Sequence, residues 1–416
     1  MPTENIPSTT AVERLARRVF ARRPPLIDFI HDELAGGLVL LVATALALVW
    51  ANLAPGTYES LWAWHPPLDL LHLDLHGWIN DGLMAIFFFV VGLEIKRELV
   101  VGELSSPRDA AMPVIAALGG MVLPALLFLA LNAGSVTKRG WGIPMATDIA
   151  FVLGALALLG SKAPAGLRLF LLAVAIVDDL GAIAVIAVAY SSGLSAGYLA
   201  MAVAVMGFVV LLQWVGAARP VMYVIPAVVL WFAIHESGVH ATVAGVAMGL
   251  LTPAQPVNDR SVIDDLQHSL HPLSALVVVP LFALANAGVV IRGDTLGDLA
   301  GSRVGWGIAL GLVLGKTLGM AGAALAAQRL GLGRLPADLT RRHVVGGAML
   351  AGIGFTVALF IAELSFDGET LAEAKLAILV ASCLAAVAGS VALLAGRRPS
   401  DRPAGGSARR GRCSVR

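Results

Sequence analysis

The stretch FLLAVAIVDDLGAIAVIAVAY, residues 170–190, decides the fold. As a helix it is long enough to cross the roughly 30 Å hydrocarbon core of a bilayer, and two adjacent acids, Asp178 and Asp179, lie near its middle. At about 1.5 Å per residue, both acids are roughly 15 Å from either end. A charge at that depth costs about 2.5–3.5 kcal/mol even on the most favourable insertion scale. We therefore expect a functional reason for both carboxyl groups.

The whole chain has the composition of a membrane protein. Its 416 residues are 58% hydrophobic and only 14% charged, with a mean hydropathy of +0.83. A water-soluble protein would have about a quarter of its residues charged. The net charge of +1 gives no reason to expect a nucleic-acid partner. Cys383 and Cys413 are too few and too far apart for a disulfide framework or a metal site, and no cofactor is expected.

Charge-poor windows predict twelve transmembrane helices. The apolar runs are continuous, whereas the strands of a membrane barrel would alternate in pieces of about 10 residues. The expected fold class is therefore an all-α polytopic membrane protein. The predicted spans are 34–52, 78–97, 110–131, 143–160, 167–190, 198–214, 221–235, 238–252, 273–291, 305–328, 344–362 and 373–395.

The basic residues predict the orientation of these spans. Cytoplasmic loops are rich in Lys and Arg, and most of the 29 Lys and Arg fall on the side that carries both termini. Both termini are therefore expected in the cytoplasm, which agrees with an even number of spans. The loops of the opposite side contain only Lys138, Arg139, Arg292 and Arg303.

This orientation divides the chain into three parts. Residues 1–33 are expected to form a basic cytoplasmic leader, 34–395 the twelve-helix domain, and 396–416 a disordered basic cytoplasmic tail. The apolar stretch after the leader is longer than that of a signal peptide, so we expect an uncleaved first helix. The arginines of the tail serve as a topology signal and also favour contact with anionic membrane lipids.

Further charges lie inside predicted spans. Asp148 is in the fourth span with the hydroxyl of Thr147 beside it, and Lys316 is in the tenth. A single Asp–Lys pair could serve only to hold helices together. Three carboxylates against one ammonium leave a surplus, and a surplus carboxylate in hydrocarbon must take up a proton or a cation. The sequence therefore predicts a pathway for cations or protons.

Two of the spans contain residues that interrupt a helix. The eleventh has Gly352 and Gly354 at its centre, and glycine costs about 1 kcal/mol relative to alanine in a helix interior. The fourth contains Pro144, followed by Thr147 and Asp148, which are residue types that cap helix starts. Interrupted spans in both halves indicate an inverted-repeat transporter, with its site where they cross near the midplane. Glycines that only allow close packing of continuous helices are the alternative.

The helix dipole gives two of these charges a use. If interrupted helices cross, two N-terminal ends and two C-terminal ends face each other inside the membrane. Asp148 would then neutralise the facing N-termini, and Lys316 the facing C-termini.

Seven longer motifs occur in the chain: VVGLEIKREL, ATDIAF, FLLAVAIVDDLGAI, SGVHATVAGV, VVPLFALANAGV, LGKTLG and GIGFTVALFIA. These motifs resemble those of the NhaA-type sodium/proton antiporters, and the resemblance extends over about residues 30 to 395. NhaA is one of the transporters from which the inverted-repeat rule was drawn, so that architecture is not an independent prediction. The resemblance implies a twelve-helix antiporter of the bacterial inner membrane that exports Na⁺ or Li⁺ in exchange for external H⁺. Such a protein regulates internal pH and sodium, is more active in alkali and is commonly a homodimer.

The resemblance also implies a role for each matching residue. Asp179 corresponds to the principal ion ligand and proton carrier, and Asp178 to the neighbour that pairs with Lys316 in the empty site. Thr147 corresponds to an auxiliary ligand, and Asp148 to the charge that compensates the helix crossing. Either Asp178 or Lys316 could handle a second proton, and the sequence does not choose between them.

A second group of residues resembles the cytoplasmic funnel and pH-response positions of the family. From the residues alone, Glu94 to Glu98 would be a solvated helix end and His240 a packing histidine. Gln267 departs from the family pattern, which has a glutamate there, so the alkaline activation profile is open. The matching residues are Glu94, Arg97, Glu98, His240 and His268.

Competition for a single carboxylate explains exchange, because one carboxylate cannot hold Na⁺ and H⁺ together. A sodium-coupled solute symporter is the nearest alternative. A passive sodium channel would use the same acids without coupling, and an intramembrane aspartyl protease would need two acids that face each other from different helices. The prediction is therefore a transporter and not an enzyme. The Na⁺/Li⁺ preference, the oligomeric state and the activating pH do not follow from the sequence.

Overall fold

A computed structural model describes residues 25–66, 71, 73–102, 104–217, 221–254, 261–291 and 295–395. The arginine-rich start of the leader and the whole predicted tail lie outside the described residues. The expectations for those two segments therefore stay predictions.

The described chain is almost entirely helical. Backbone groups in lipid must form their hydrogen bonds within the spanning segment, which is why the long apolar runs are helices. The all-helical, polytopic fold predicted from the sequence is confirmed. In chain order the helices are α1 (Pro25–Leu53), α2 (Pro55–Trp62), α3 (Leu75–Val100), α4 (Pro107–Leu131), α5 (Ile149–Leu158), α6 (Ala165–Ala189), α7 (Ala196–Trp214), α8 (Val221–Glu236), α9 (Thr242–Leu251), α10 (Val262–Asn286), α11 (Thr295–Gly301), α12 (Arg303–Arg329), α13 (Arg341–Leu350), α14 (Phe355–Ser365) and α15 (Gly368–Leu394), with a 3-10 segment, Val136–Met145, before α5.

Length and composition support nine or ten spans among the described residues. Nine helical segments are long and apolar enough to cross a membrane, and α13 with α14 makes a tenth if the bent pair is one span. The predicted spans 221–235 and 238–252 coincide with α8 and α9, which have 16 and 10 residues. A ten-residue helix is about 15 Å long, or about half the hydrocarbon core. Twelve spans therefore remain a prediction.

The first helix begins earlier than predicted. It starts at Pro25, so the last part of the expected leader is helical backbone. The apolar part that could cross the membrane is Ala35–Leu53, close to the predicted 34–52. Proline is well tolerated in the first turn of a helix, which agrees with a start at this position.

Small residues bring two pairs of helices into backbone contact. Gly119 of α4 faces Gly319 of α12, and Gly92 of α3 faces Gly249 of α9. A Cβ atom added to Gly92 would lie 2.8 Å from the carbonyl oxygen of Val246, so only glycine allows this approach. Close packing through small residues is typical of helices in membranes.

The burial pattern is that of a membrane protein. Large apolar side chains such as Leu38 and Val188 are exposed on the outside, where lipid would cover them. Charged side chains are buried instead, among them Asp178 and Lys316, which are 1% and 0% exposed. The apolar helices thus surround an ionisable centre.

Candidate functional site

The chain is broken at two places in the centre of the molecule. The 3-10 segment Val136–Met145 ends before Thr147 and Asp148, and α5 begins directly after them. Helix α13 ends at Leu350, α14 begins at Phe355, and the two axes differ by 45°. The short connections contain the glycines and the Thr–Asp pair that the sequence singled out.

Gly352 and Gly354 lie where the second break packs against α12. A Cβ atom on Gly352 would strike the carbonyl oxygen of Leu312, and one on Gly354 would lie 2.8 Å from the Cδ2 atom of Leu312. No larger residue fits at either position without a shift of its neighbours. The glycines therefore allow the broken segment to approach α12.

Hydrogen bonds join the two breaks directly. The backbone N–H of Asp148 donates to the carbonyl oxygen of Ile353 at 2.6 Å. The hydroxyl oxygen of Thr147 lies 3.0 Å from the carbonyl oxygen of Ala351 and 2.7 Å from Oδ2 of Asp178. Unwound backbone in a membrane protein needs such partners inside the protein. Each break thus satisfies polar groups of the other.

Asp148 lies between the N-terminal ends of α5 and α14. Its Oδ1 accepts a hydrogen bond from the backbone N–H of Phe151 at 3.3 Å. Its Oδ2 accepts from the backbone N–H of Thr356 at 3.1 Å and from the Thr356 hydroxyl at 2.6 Å. A negative charge is stabilising at a helix N-terminus, because the free N–H groups and the dipole favour it.

Lys316 has the complementary position. Its Nζ donates to the carbonyl oxygen of Met145, at the C-terminal end of the 3-10 segment, and lies 2.5 Å from Oδ2 of Asp178. A cation is favourable at such an end. A π-helical turn, Gly311–Gly315, directly precedes the lysine, and such turns are frequent at functional sites.

Asp178 keeps one oxygen available. Its Oδ2 contacts both Lys316 and Thr147, but its Oδ1 is buried and has no hydrogen-bond partner within the described ranges. A buried carboxylate oxygen without a partner is costly, so such an atom in a native structure calls for an explanation.

Asp179 has different surroundings from Asp178, as expected for adjacent positions on a helix. It lines a cavity that also reaches Thr147, Asp148 and Glu94. Its lining residues come from two sets of helices. We call α1, α3 and α10 one wall, and the broken segment before α5, helix α6 and the start of α14 the other wall. Three carboxylates therefore line this cavity, and a fourth, that of Asp178, is paired with Lys316.

The second group of predicted residues is only partly brought together. Glu94 lines the cavity of Asp179. Nε of Arg97 lies 3.4 Å from Oδ1 of the exposed Asp264. Glu98 lines a separate surface cavity together with Asp109. The side chain of His268 is exposed.

His240 has different surroundings from the rest of that group. Its Nε2 is 3.4 Å from Asp81, its Nδ1 is 3.0 Å from the hydroxyl of Thr242, and its ring packs edge-on against Phe360. These contacts link α3, α9 and α14.

Sequence reasoning missed His271, which also lines the cavity of Asp179. The signal was its spacing. His271 follows His268 by three residues on the amphipathic start of α10, so the two lie on neighbouring parts of one face.

The fold and the site together define a class of protein. A polytopic helical membrane protein with several ionisable groups buried where two helices break has the construction of an ion-translocating transporter.

Comparison with known proteins identifies the family. The Na⁺/H⁺ antiporter 1 family matches residues 27–393, and the chain belongs to this family. It is 45% identical to the Na⁺/H⁺ antiporter NhaA 2 of Sorangium cellulosum, over 93% of this chain and 92% of that protein. It is 46% identical to NhaA 1 of Erythrobacter litoralis, over 93% and 96%, and 46% identical to NhaA of Yersinia pseudotuberculosis, over 87% and 94%. The resemblance stated from the motifs is confirmed.

Proposed function

We propose that this protein is a secondary transporter of the bacterial inner membrane that exports Na⁺ or Li⁺ in exchange for external H⁺. The observation that carries the proposal is the position of Asp179. It lines a cavity between two groups of helices, beside an Asp178 that Lys316 already neutralises. Asp148 also lines this cavity but is held by Thr356, and Glu94 lies near the end of α3. We therefore assign the transported ion to Asp179, and membership of the family gives the ions.

Exchange follows from competition at Asp179. An uncompensated carboxylate in apolar surroundings is stable only with a proton or a cation bound. If the helices rearrange only in those two states, each cation that leaves is replaced by protons from the other side. No separate device is needed to couple the two flows.

Asp178, Lys316 and Thr147 would form the rest of the site. In the present arrangement the ammonium of Lys316 occupies Oδ2 of Asp178, while Oδ1 is left without a partner. A bound Na⁺ would take Asp179 together with this free oxygen and the hydroxyl of Thr147, and would displace the lysine. The same site would hold Li⁺, since both ions prefer oxygen ligands.

Asp148 and Lys316 would compensate the ends of the broken helices. The hydrogen bonds between the two breaks support an inverted-repeat fold, with spans four and eleven crossing at the midplane of twelve transmembrane helices. In that fold both termini are cytoplasmic, and the cavity of Asp179, which includes Glu94 near the end of α3, opens to the cytoplasm.

The membrane potential would drive the exchange if more protons enter than cations leave. Each net charge gains about 2.3 kcal/mol per 100 mV. Asp178 and Lys316 both remain candidates for the second proton, because each is released from the other when the ion pair opens.

Regulation by pH and assembly are further parts of the proposal. Glu94 and His271 share the cavity of Asp179, which places titratable groups along the route of the ion. We propose that the activity rises in alkali, as in the family, with a profile altered by Gln267. Membrane lipids would cover the exposed apolar faces, and the homodimer common in the family is the expected assembly.

A sided assay tests the proposal. Everted membrane vesicles with an acidic interior are monitored with a pH-sensitive dye while Na⁺, Li⁺ or K⁺ is added. Antiport predicts that Na⁺ or Li⁺ alone discharges the pH gradient and that K⁺ does not. Failure of both Na⁺ and Li⁺ to discharge the gradient would reject antiport of these ions. Uptake of labelled Na⁺ that needs an added organic solute and leaves the pH gradient unchanged would then favour the symporter.

A further inference from the structure

Helix α14 contributes Thr356 and Val357 to the lining of the Asp179 cavity and continues beyond it with an aromatic and an acidic residue. Thr356, Phe360 and Glu363 are separated by four and then three residues, so they lie along one face of this helix. Thr356 lines the cavity and holds Asp148, Phe360 is fully buried one turn further on, and Glu363 is in the last turn.

Phe360 is the centre of an aromatic plug. The centroid of its ring is 5.0 Å from the ring centroid of His240, 5.5 Å from that of Phe88 and 6.1 Å from that of Phe282. Phe88 and Phe282 belong to α3 and α10, which form the opposite wall of the cavity. The plug therefore packs α14 against α3 and α10 one turn beyond Thr356, which lines the cavity.

A charged layer lies beyond the plug. Oε1 of Glu363 is 2.5 Å from Nζ of Lys375 on α15 and 3.9 Å from Nε2 of His76 on α3. The same His76 nitrogen is 2.9 Å from Oδ1 of Asn286 on α10. Asn286 in turn donates to Asn80 at 2.8 Å.

The contacts within each wall differ from the contacts between the walls. Within one wall, short hydrogen bonds join α3 to α10 through His76, Asn80 and Asn286. Within the other, the pair of Glu363 and Lys375 joins α14 to α15. Between the walls, Phe360 contacts the rings of Phe88 and Phe282. The polar contact described between the walls is the 3.9 Å distance from Nε2 of His76 to Oε1 of Glu363. The polar contact between α3 and α14 is therefore longer than the described polar contacts within either wall.

We propose that Phe360 and Glu363 are positioning residues that form the outer gate of the exchanger. The contact between Glu363 and His76, which we call the latch, holds this gate closed. Closed, as here, these residues seal the ion site from the outside while its cavity faces the cytoplasm. Opening them would expose Asp179 to external protons. This inference rests on the proposed antiport and its orientation, and it adds which residues must separate in each cycle.

Cross-linking tests the latch. In a background in which Cys383 and Cys413 are serine, the pair His76→Cys with Glu363→Cys spans the two walls. The matched control, Glu363→Cys with Lys375→Cys, lies within one wall and shares the same substitution at Glu363. Each pair is joined with a short bifunctional thiol reagent that a reductant cleaves.

The gate predicts that cross-linking the pair across the walls abolishes Na⁺-dependent discharge of a pH gradient, and that the reductant restores it. The cross-linked control pair should keep its activity. Equal activity of both cross-linked pairs would overturn the proposal. Activity of the two pairs before cross-linking reports on antiport itself, so a failure of the gate and a failure of the proposed function are distinguishable.

A labelling experiment tests the plug without any transport. Val357 lines the cavity, so Val357→Cys can be labelled in intact cells with a maleimide that does not cross the membrane. Adding Phe360→Ala should raise the labelling rate severalfold. Phe128→Ala, which removes an equally buried ring between α4 and α12, should leave it unchanged. An unchanged rate in the Phe360→Ala protein would mean that the ring does not close the route.

Discussion

Lys316–Asp178 and Lys375–Glu363 are both buried ion pairs with 2.5 Å between nitrogen and oxygen, yet their surroundings differ. The first lies among broken helices, with a second carboxylate, that of Asp179, next to it in the chain. The second joins two continuous helical segments near their ends. The difference agrees with the proposal that a transport site needs more than a buried ion pair. On this proposal it also needs a surplus carboxylate that an ion can compensate.

The largest expected effect separates the carboxylate proposed as the ion ligand from the carboxylate proposed for the outer gate. Asp179→Asn removes the surplus charge for which Na⁺ and H⁺ compete. Exchange should therefore fall to the level of vesicles that lack the protein. Glu363→Gln leaves that ligand intact and should lower the rate without abolishing it. Dye-monitored discharge of the pH gradient measures both. Substantial exchange by the Asp179→Asn protein would remove this residue from the centre of the mechanism.

The next effect compares the two lysines. Removing one partner of a buried ion pair typically costs about 3–5 kcal/mol, because the other charge is left uncompensated. Lys316→Ala should approach this loss in the free energy of unfolding, since Asp178 is almost fully buried. Lys375→Ala should cost less, because both side chains of its pair are 11% exposed and water can reach them.

Thermal unfolding of the solubilised proteins measures this difference, at pH 5 and at pH 8. Protonation of the stranded carboxylate removes its charge, so the loss in the Lys316→Ala protein should be smaller at pH 5. An equal loss for both lysines at both pH values would show that the two pairs are energetically alike.

The sequence predicted the first pair better than the second, for a physical reason. Asp178 and Lys316 are charges in the middle of long apolar runs, where no water is within reach, so their cost is visible without a structure. Glu363 and Lys375 lie near the ends of predicted spans, where long side chains usually extend to the membrane surface. Their burial depends on how α14 and α15 pack against α3, which no local pattern encodes.

The same distinction applies to the breaks. The residues that interrupt the helices could be predicted, because glycine, proline, threonine and aspartate have known effects on a local backbone. The partners could not. The hydrogen bond from Asp148 to Ile353, and those from Thr356 to Asp148, join residues about 200 positions apart in the chain, and only the tertiary fold brings them together.

A smaller effect tests whether the break itself distinguishes the first region. Gly352→Ala places a Cβ against the carbonyl oxygen of Leu312, and overpacking of this kind costs about 1–3 kcal/mol. Gly322→Ala, in the continuous part of α12, has nothing within 4 Å of the new atom and should be neutral or stabilising by about 0.5–1 kcal/mol. Unfolding temperatures of the two variants report the sign. A stable Gly352→Ala protein would mean that the break tolerates a side chain.

The smallest expected effect concerns the hydroxyl of Thr147, the group that links the broken backbone to the ion pair. Thr147→Val keeps the shape of the side chain but removes its contacts to Asp178 and Ala351. The net loss for one hydrogen bond is about 1 kcal/mol, which corresponds to a roughly fivefold weaker half-saturation for Na⁺ if the hydroxyl is also an ion ligand. Thr147→Ser retains the hydroxyl and should stay near the wild type. If the hydroxyl only holds the two breaks together, Thr147→Val will lower the unfolding temperature while the half-saturation for Na⁺ stays constant, and the free oxygen of Asp178 must find its ligand elsewhere.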